Sequence, residues 1–308
     1  MWYKKYTEPT HVTGRSRAKH FISHRKASRH PIFQPRIIGS VVIACLLVCG
    51  AILTTNKSPH INSGTSDEAR QPQVAQIDTT VMSKRINQVI TSNPDMQISV
   101  AVIDMSTGNT SNYGDGDGYL AASVNKILTA VLYMHEVEQG SRDLDTVIDN
   151  APASQHLGLM IEQSNNDAWK TLNNEMGHPA LQSWARQIGL SSYDATSNSV
   201  APKDVALLLS NLYQKRLLTP AHTELLLGYM QNTSETKYIE NAVPDGVKVY
   251  RKSGWLNDRL HDAAIIDNGV RPYVLVIFTR MDGDYDFELG QNVFNTITAA
   301  TVDTYIKS

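Results

Sequence analysis

Three short clusters carry most of the hydroxyl and amine chemistry in this chain. Ser123-Val124-Asn125-Lys126 sets a hydroxyl and an amine three residues apart. On a helix, positions i and i+3 share a face, so Lys126 stands beside Ser123. A serine becomes a useful nucleophile when a neighbouring base takes its proton, and a lysine near its ordinary pKa of about 10.4 is a poor base at neutral pH. Burial and a second cation nearby would lower that value. The same spacing recurs at Ser16/Lys19, Ser23/Lys26 and Ser234/Lys237, in a basic or a polar stretch. Ser123 differs because Ile127, Leu128, Ala130, Val131, Leu132 and Met134 follow it, predicting a buried helix over 123–139. The plain structural alternative is a serine N-cap with a lysine reaching out to solvent.

Ser164-Asn165-Asn166 lies between the apolar stretch 157–161 and a helix opening at Asp167. It is either an ordinary cap and turn, or a site where the Ser164 hydroxyl shuttles a proton and the Asn166 amide holds substrate. Lys252-Ser253-Gly254 is the one K-[ST]-G of the chain and ends a predicted strand from Val247. It reads either as a strand end with a turn glycine, or as a cation and hydroxyl for a substrate carboxylate. Gly254 would then let substrate approach the backbone closely, and Lys252 would supply the cation that lowers the pKa of Lys126.

These clusters need elements to position them. Val81, Ile86, Val89 and Ile90 suggest a helix; 97–105 is a strand, and 106–109 turns into a second one. Helical spacing or a leading proline marks 157–163, 167–176, 180–188, 202–215 and 220–230; strands return at 247–253, 261–267 and 273–281, before a last helix from about 287 to 306. Two strands, a helical block, three strands and a helix fit an α+β fold: an antiparallel sheet built from both chain ends and packed with the helices.

The remaining sequence reads as an address. Of 308 residues, 1–36 hold nine Lys/Arg against one Glu, whereas 78–308 hold 17 against 27 Asp/Glu. Twenty uncharged residues separate Arg36 from Lys57, enough helix to cross a bilayer core about 30 Å thick. The expectation is a basic cytoplasmic tail at 1–36, a transmembrane helix at 37–54, a flexible linker at 55–77 and one folded domain at 78–308. Basic flanks stay cytoplasmic, which places that domain outside the cell membrane on a single-pass signal anchor. A cleaved signal peptide and a lipoprotein box at Cys45 are the alternatives. Both cysteines, Cys45 and Cys49, fall in the span, so a disulfide scaffold and a Cys-rich zinc site are excluded for the domain. The basic tail is assigned to topology and anionic lipid rather than to nucleic acid.

In their order and placement, S-x-x-K on a helix, S-x-N at a helix junction and K-S-G on a late strand resemble the penicillin-recognising serine hydrolases, the class A β-lactamases and D-Ala-D-Ala peptidases. The stretches 252–266 and 271–279 also look like the closing strands of β-lactamase-like proteins. The resemblance implies that Ser123 is acylated, Lys126 is its base, Ser164 relays a proton to the leaving nitrogen and Asn166 holds the substrate amide. It implies that Lys252 and Ser253 bind a carboxylate, that the amides of Ser123 and Trp255 form an oxyanion hole, and that no metal or other cofactor is needed. The ligand would be a β-lactam or a peptidoglycan stem peptide. Class A enzymes also carry a Glu-x-x-Leu-Asn loop whose Glu activates the deacylating water. Among Asp167, Glu175, Asp194, Asp204, Glu224, Glu235, Glu240 and Asp245 none lies in that pattern, and 189–202 offers only Asp194. Deacylation is therefore expected to be slow. A D-Ala-D-Ala carboxypeptidase or penicillin-binding protein, and a catalytically silent receptor for cell-wall peptides, are the alternative functions.

Overall fold

The computed structural model describes residues 76–307, apart from residue 117. The expected tail at 1–36 and span at 37–54 lie outside the described residues, as does the linker up to residue 75. Among the described residues, no helix is long and apolar enough to cross a membrane.

The chain opens with α1 (Thr80–Ser92), β1 (Met96–Asp104), β2 (Thr110–Gly114) and the short β3 (Tyr119–Leu120). A 3-10 turn over Ala122–Asn125 leads into α2 (Lys126–Glu138). After the ribbon β4 (Val147–Ile148) and β5 (Ala151–Pro152) come α3 (Ala153–Glu162), α4 (Asn166–Met176) and α5 (His178–Gln187). Then follow β6 (Ser199–Val200), α6 (Pro202–Tyr213) and α7 (Pro220–Gln231). The chain closes with β7 (Lys248–Leu256), β8 (Arg259–Asp267), β9 (Tyr273–Met281) and α8 (Phe287–Tyr305).

Five strands form one sheet in the order β2-β1-β9-β8-β7, each pair antiparallel. Both chain ends contribute to it, as the sequence predicts. Side chains alternate between its faces. Ala101, Ile103, Val274, Val276 and Phe278 pack with α2, α3 and α6, whereas Val100, Val102, Leu275 and Ile277 pack with α1 and α8. The sheet is thus buried on both faces, which explains why 97–103 and 273–279 read as continuous apolar runs rather than alternating ones.

Two predicted boundaries shift in ways that matter. Ser123 sits in the 3-10 turn and not in the α-helix that begins at Lys126. The Lys252-Ser253-Gly254 cluster lies within β7, which continues to Leu256, rather than at the strand's end. On this edge strand Lys252 and Gly254 fall on the same face as Tyr250, which packs into the helical core. One strand thereby delivers a lysine and a glycine to the helix bearing Lys126.

Gly254 has a packing reason distinct from the substrate approach expected of it. A Cβ there would lie 2.6 Å from the Ser123 nitrogen and 3.0 Å from both Ala122 Cβ and the Val124 nitrogen. The 3-10 turn is pressed directly onto β7. On β8, His261 pairs with Gly254 and ties down the preceding residue pair. Its Nδ1 accepts the Thr279 amide, so its Nε2 donates to the Leu120 carbonyl at 2.9 Å. Burial holds this imidazole neutral, down to about 4.

Gly254→Ala should therefore push the turn off the sheet and destabilise the protein by about 1–3 kcal/mol, the ordinary range for overpacking. Gly228→Ala, in α7 with no atom within 4 Å of the added methyl, should be neutral or stabilising. Thermal denaturation of the two variants checks this contrast, and equal melting shifts would remove the packing argument for Gly254.

Candidate active site

The Ser123 turn is held from two directions. Below it is Gly254. On one side, Asn198 accepts a hydrogen bond from Asn125 Nδ2 at 2.9 Å and donates Nδ2 to the Ala122 carbonyl at 3.1 Å. The Asn198 carbonyl also accepts the Ala121 amide at 2.9 Å. Ala122 and Asn198 both have φ near +50°, a conformation an L-residue adopts at a cost of about 1–2 kcal/mol. Strain of this kind persists where surrounding contacts over-determine the backbone. The Ser123 hydroxyl itself makes no hydrogen bond among the described residues and faces the cleft.

Lys126 and Lys252 are almost fully buried, at 1% and 0% exposure, and they meet at one oxygen. Lys126 Nζ donates to Ser164 Oγ at 3.2 Å, and Lys252 Nζ donates to the same Oγ at 2.9 Å. Lys126 also donates to the Ser164 carbonyl at 2.6 Å and to Asn166 Oδ1 at 2.7 Å. Ser164 takes its place through a left-handed φ of +53° at the junction of α3 and α4. Asn165 caps α4 by accepting the Ala168 amide. The cap-and-turn reading of this segment and the reading that sends its side chains to the lysine both describe part of what is there. A hydroxyl has two lone pairs and one proton. With both lone pairs taken by ammonium donors, the Ser164 proton is left to be donated elsewhere.

Burial, and then the Lys252 cation, bring the Lys126 ammonium down to about 7, with Glu235 acting in the opposite direction. Burial also lowers Lys252, more than Glu235 and Asp262 raise it. Lys252 keeps a carboxylate 2.6 Å away, Lys126 has none among the described residues, and the Lys126 ammonium titrates at about 7.

Glu235 was not singled out from the sequence. Its Oε2 lies 2.6 Å from Lys252 Nζ and accepts the Ser253 amide at 3.3 Å. A glutamate in a polar stretch 17 residues before its partner leaves no periodic signal. Asn198 was missed for a similar reason: its role depends on a backbone conformation.

Ser123, Asn166, Trp255 and Leu256 line both halves of one cleft. One half, about 600 Å³, runs past Trp169, Asn173, His178 and Asn198. The other, about 620 Å³, runs past Ser164, Glu235, Tyr238 and Ser253. Trp255 is half exposed at the rim and meets Phe287 edge-on. All eight residues marked in the sequence therefore gather here. Gly254 does so as packing under the Ser123 turn, and Asn166 with its Oδ1 already engaged by Lys126.

Asp194 is turned into its own loop. Its Oδ1 accepts the amides of Thr196 and Ser197, which hold its carboxyl below the usual range in an exposed turn. Buried Asp204 is likewise engaged, accepting the amide and hydroxyl of Ser192.

The fold has solved counterparts. PBP-A superposes with a TM-score of 0.67 at 20% identity, covering 72% of this chain and 96% of that one. A PBP-A mutant in acyl-enzyme complex with penicillin G gives 0.65 at 20% identity over 71% and 96%. An ancestral class A β-lactamase gives 0.66 at 20% identity over 72% and 99%. No curated protein sequence matches the chain. Residues 81–305, from the first helix to the end of the last, match the Beta-lactamase enzyme family (Beta-lactamase2), and the chain belongs to that family.

Proposed function

We propose that this protein is a membrane-anchored serine hydrolase that is acylated at Ser123 by β-lactams or D-Ala-D-Ala-like peptides and deacylates slowly. The observation that carries the proposal is the meeting of two buried lysines at Ser164 Oγ in the cleft that Ser123 lines. Neither a solvated surface lysine nor a core salt bridge accounts for two ammonium donors on one hydroxyl. The penicillin acyl-enzyme of the structurally similar PBP-A mutant supports acylation chemistry on this fold.

In the proposed reaction, neutral Lys126 gives up one of its contacts to the 164–166 segment and takes the Ser123 proton. The Ser123 oxygen attacks the carbonyl carbon. The oxyanion sits at the amides of Ser123 and Trp255, each worth about 3 kcal/mol in sites of this kind. Ser164 passes its free proton to the departing nitrogen and is reprotonated from the lysine pair. Release of the acyl group then needs a base that activates water. No acidic residue lies in the Glu-x-x-Leu-Asn pattern that positions such a base, although Asp167 lines the cleft half that Ser123 lines, and a missing general base costs about 10²- to 10⁴-fold. That favours an accumulating acyl-enzyme, the behaviour of a penicillin-binding protein, over a fast β-lactamase. The basic tail at 1–36 and apolar run at 37–54 support an anchor that leaves the domain outside the membrane.

Intact-mass measurement of the full-length chain incubated with penicillin G should show one adduct that persists, and Ser123→Ala should show none. An adduct retained by Ser123→Ala would sink the assignment of the nucleophile. The acylation rate should rise with pH through about 7, because Lys126 must be neutral to act and its ammonium loses its proton there. Lys252→Gln removes the neighbouring cation and should move that limb to higher pH. A pH-independent rate between 5 and 9 would argue against a lysine base. Asp194→Asn should leave the deacylation rate within about twofold; a large fall would make Asp194 the base after all.

A further inference from the structure

The Lys252 ammonium and the Ser253 amide are the groups expected to receive a substrate carboxylate. Glu235 Oε2 already contacts both, at 2.6 and 3.3 Å. Its backbone is fastened on either side. Fully buried Arg251 donates Nη2 to the Glu235 carbonyl at 2.6 Å and Nη1 to the Thr236 carbonyl at 2.9 Å, while its Nε pairs with Glu240 at 2.9 Å. Ser234 donates its amide and its hydroxyl to the Glu162 carbonyl at the end of α3. The carboxylate is held in place and lines the cleft.

The two β7 cations beside that position already carry carboxylate partners. Lys252 is matched by Glu235 and Arg251 by Glu240. Asp262, opposite Ser253 on β8, is fully buried and accepts the amides of Ile239 and Ala263. Burial raises its carboxyl to about 6, which still leaves it mostly anionic at neutral pH. A carboxylate entering beside Lys252 would face Glu235 across a few ångströms of poorly solvated space, where like charges repel strongly.

We propose that Glu235 is a built-in counter-anion that weakens the Lys252 subsite for substrate carboxylates, so that the cleft admits β-lactams and peptides with a free carboxylate less readily than their uncharged esters or amides. This rests on the acyl-transfer reading of the cleft and adds its substrate class. Glu235 acts on selectivity through charge; a salt bridge that merely stabilised buried Lys252 would alter melting temperature without altering which ligand binds.

The test separates selectivity from acylation by using the full-length chain in a Ser123→Ala background. Calorimetric titration compares penicillin G, which carries a carboxylate, with penicillin G methyl ester, which does not. With Glu235 present, the ester should bind at least tenfold more tightly than the acid. Glu235→Gln keeps the shape and an acceptor for Lys252, and it should raise the acid-to-ester affinity ratio at least tenfold. Glu235→Ala should do the same, which guards against a special effect of the amide. An affinity ratio that neither variant changes by more than threefold overturns the proposal. So does failure of the Glu235→Gln chain to bind penicillin G, since removing the anion should open the subsite. The acylation reading has its own readout. If the Ser123-containing Glu235→Gln chain gains no adduct mass from ligands that its Ser123→Ala counterpart binds, acylation fails while the charge selection stands.

Discussion

Two ammonium groups sharing one hydroxyl is the constraint on which the site depends. Contacts of 3.2 and 2.9 Å to Ser164 Oγ keep Lys126 Nζ and Lys252 Nζ within about 6 Å of each other. Two full positive charges at that distance repel by roughly 3 kcal/mol at an effective dielectric of about 20, equivalent to about two units of pKa. The pair relaxes by letting one member become neutral. The geometry selects which one: Lys252 has a carboxylate 2.6 Å away, whereas the contacts of Lys126 are to a hydroxyl, a carbonyl and an amide oxygen. The same arrangement makes Lys126 the member of the pair suited to the base role proposed for it.

Holding this arrangement requires parts of the chain far apart in sequence to be fixed against one another. The sheet supplies the rigid side, with β7 carrying Lys252 and pressing Gly254 under the Ser123 turn. The helical block supplies Lys126 and, at the α3–α4 junction, Ser164. Three left-handed non-glycine residues, Ala122, Ser164 and Asn198, lie where these parts meet. Each is unfavourable locally, and each is secured by contacts to another element. Placing the reactive groups competes with local backbone preference here, as is common at functional sites.

Much of this was legible in the sequence because chemistry restricts residue types. A hydroxyl and an amine at i and i+3 before an apolar helix, and a K-S-G on a late strand, are rare in combination, so Ser123, Lys126, Ser164 and Lys252 could be chosen before their geometry was known. The large strands were legible because burial on both faces makes long apolar runs. The two-residue strands β3, β4, β5 and β6 are too short to show any period. The 3-10 turn at Ser123 escaped because its backbone is set by Gly254 and Asn198, which contact it from 131 and 75 residues further along the chain. The stretch containing Ser234 and Lys237 was set aside as polar, and it holds Glu235. A carboxylate's importance comes from what lies opposite it in space, and no spacing rule announces that.

The position of one carboxylate then distinguishes this cleft from that of the class A enzymes it resembles. In those, as the resemblance implies, a glutamate on the loop after the S-D-N motif activates the water that frees the enzyme. Here the corresponding loop directs its acidic residue into its own turn, and Asn198 of that loop clamps the backbone before Ser123 instead. Of the carboxylates that line the cleft, Asp167 lies in one half and Glu235 in the other, against Lys252. There Glu235 neutralises a cation and raises the pKa of Lys126 slightly, opposing the effect of Lys252. In the reaction proposed above, moving a negative charge from the water side to the anion side of the same cleft would affect both ends: it would withdraw help from deacylation and change which acyl donors are welcome. Fold and nucleophile can therefore stay constant in such a family while turnover and substrate choice vary with the location of a single charged side chain.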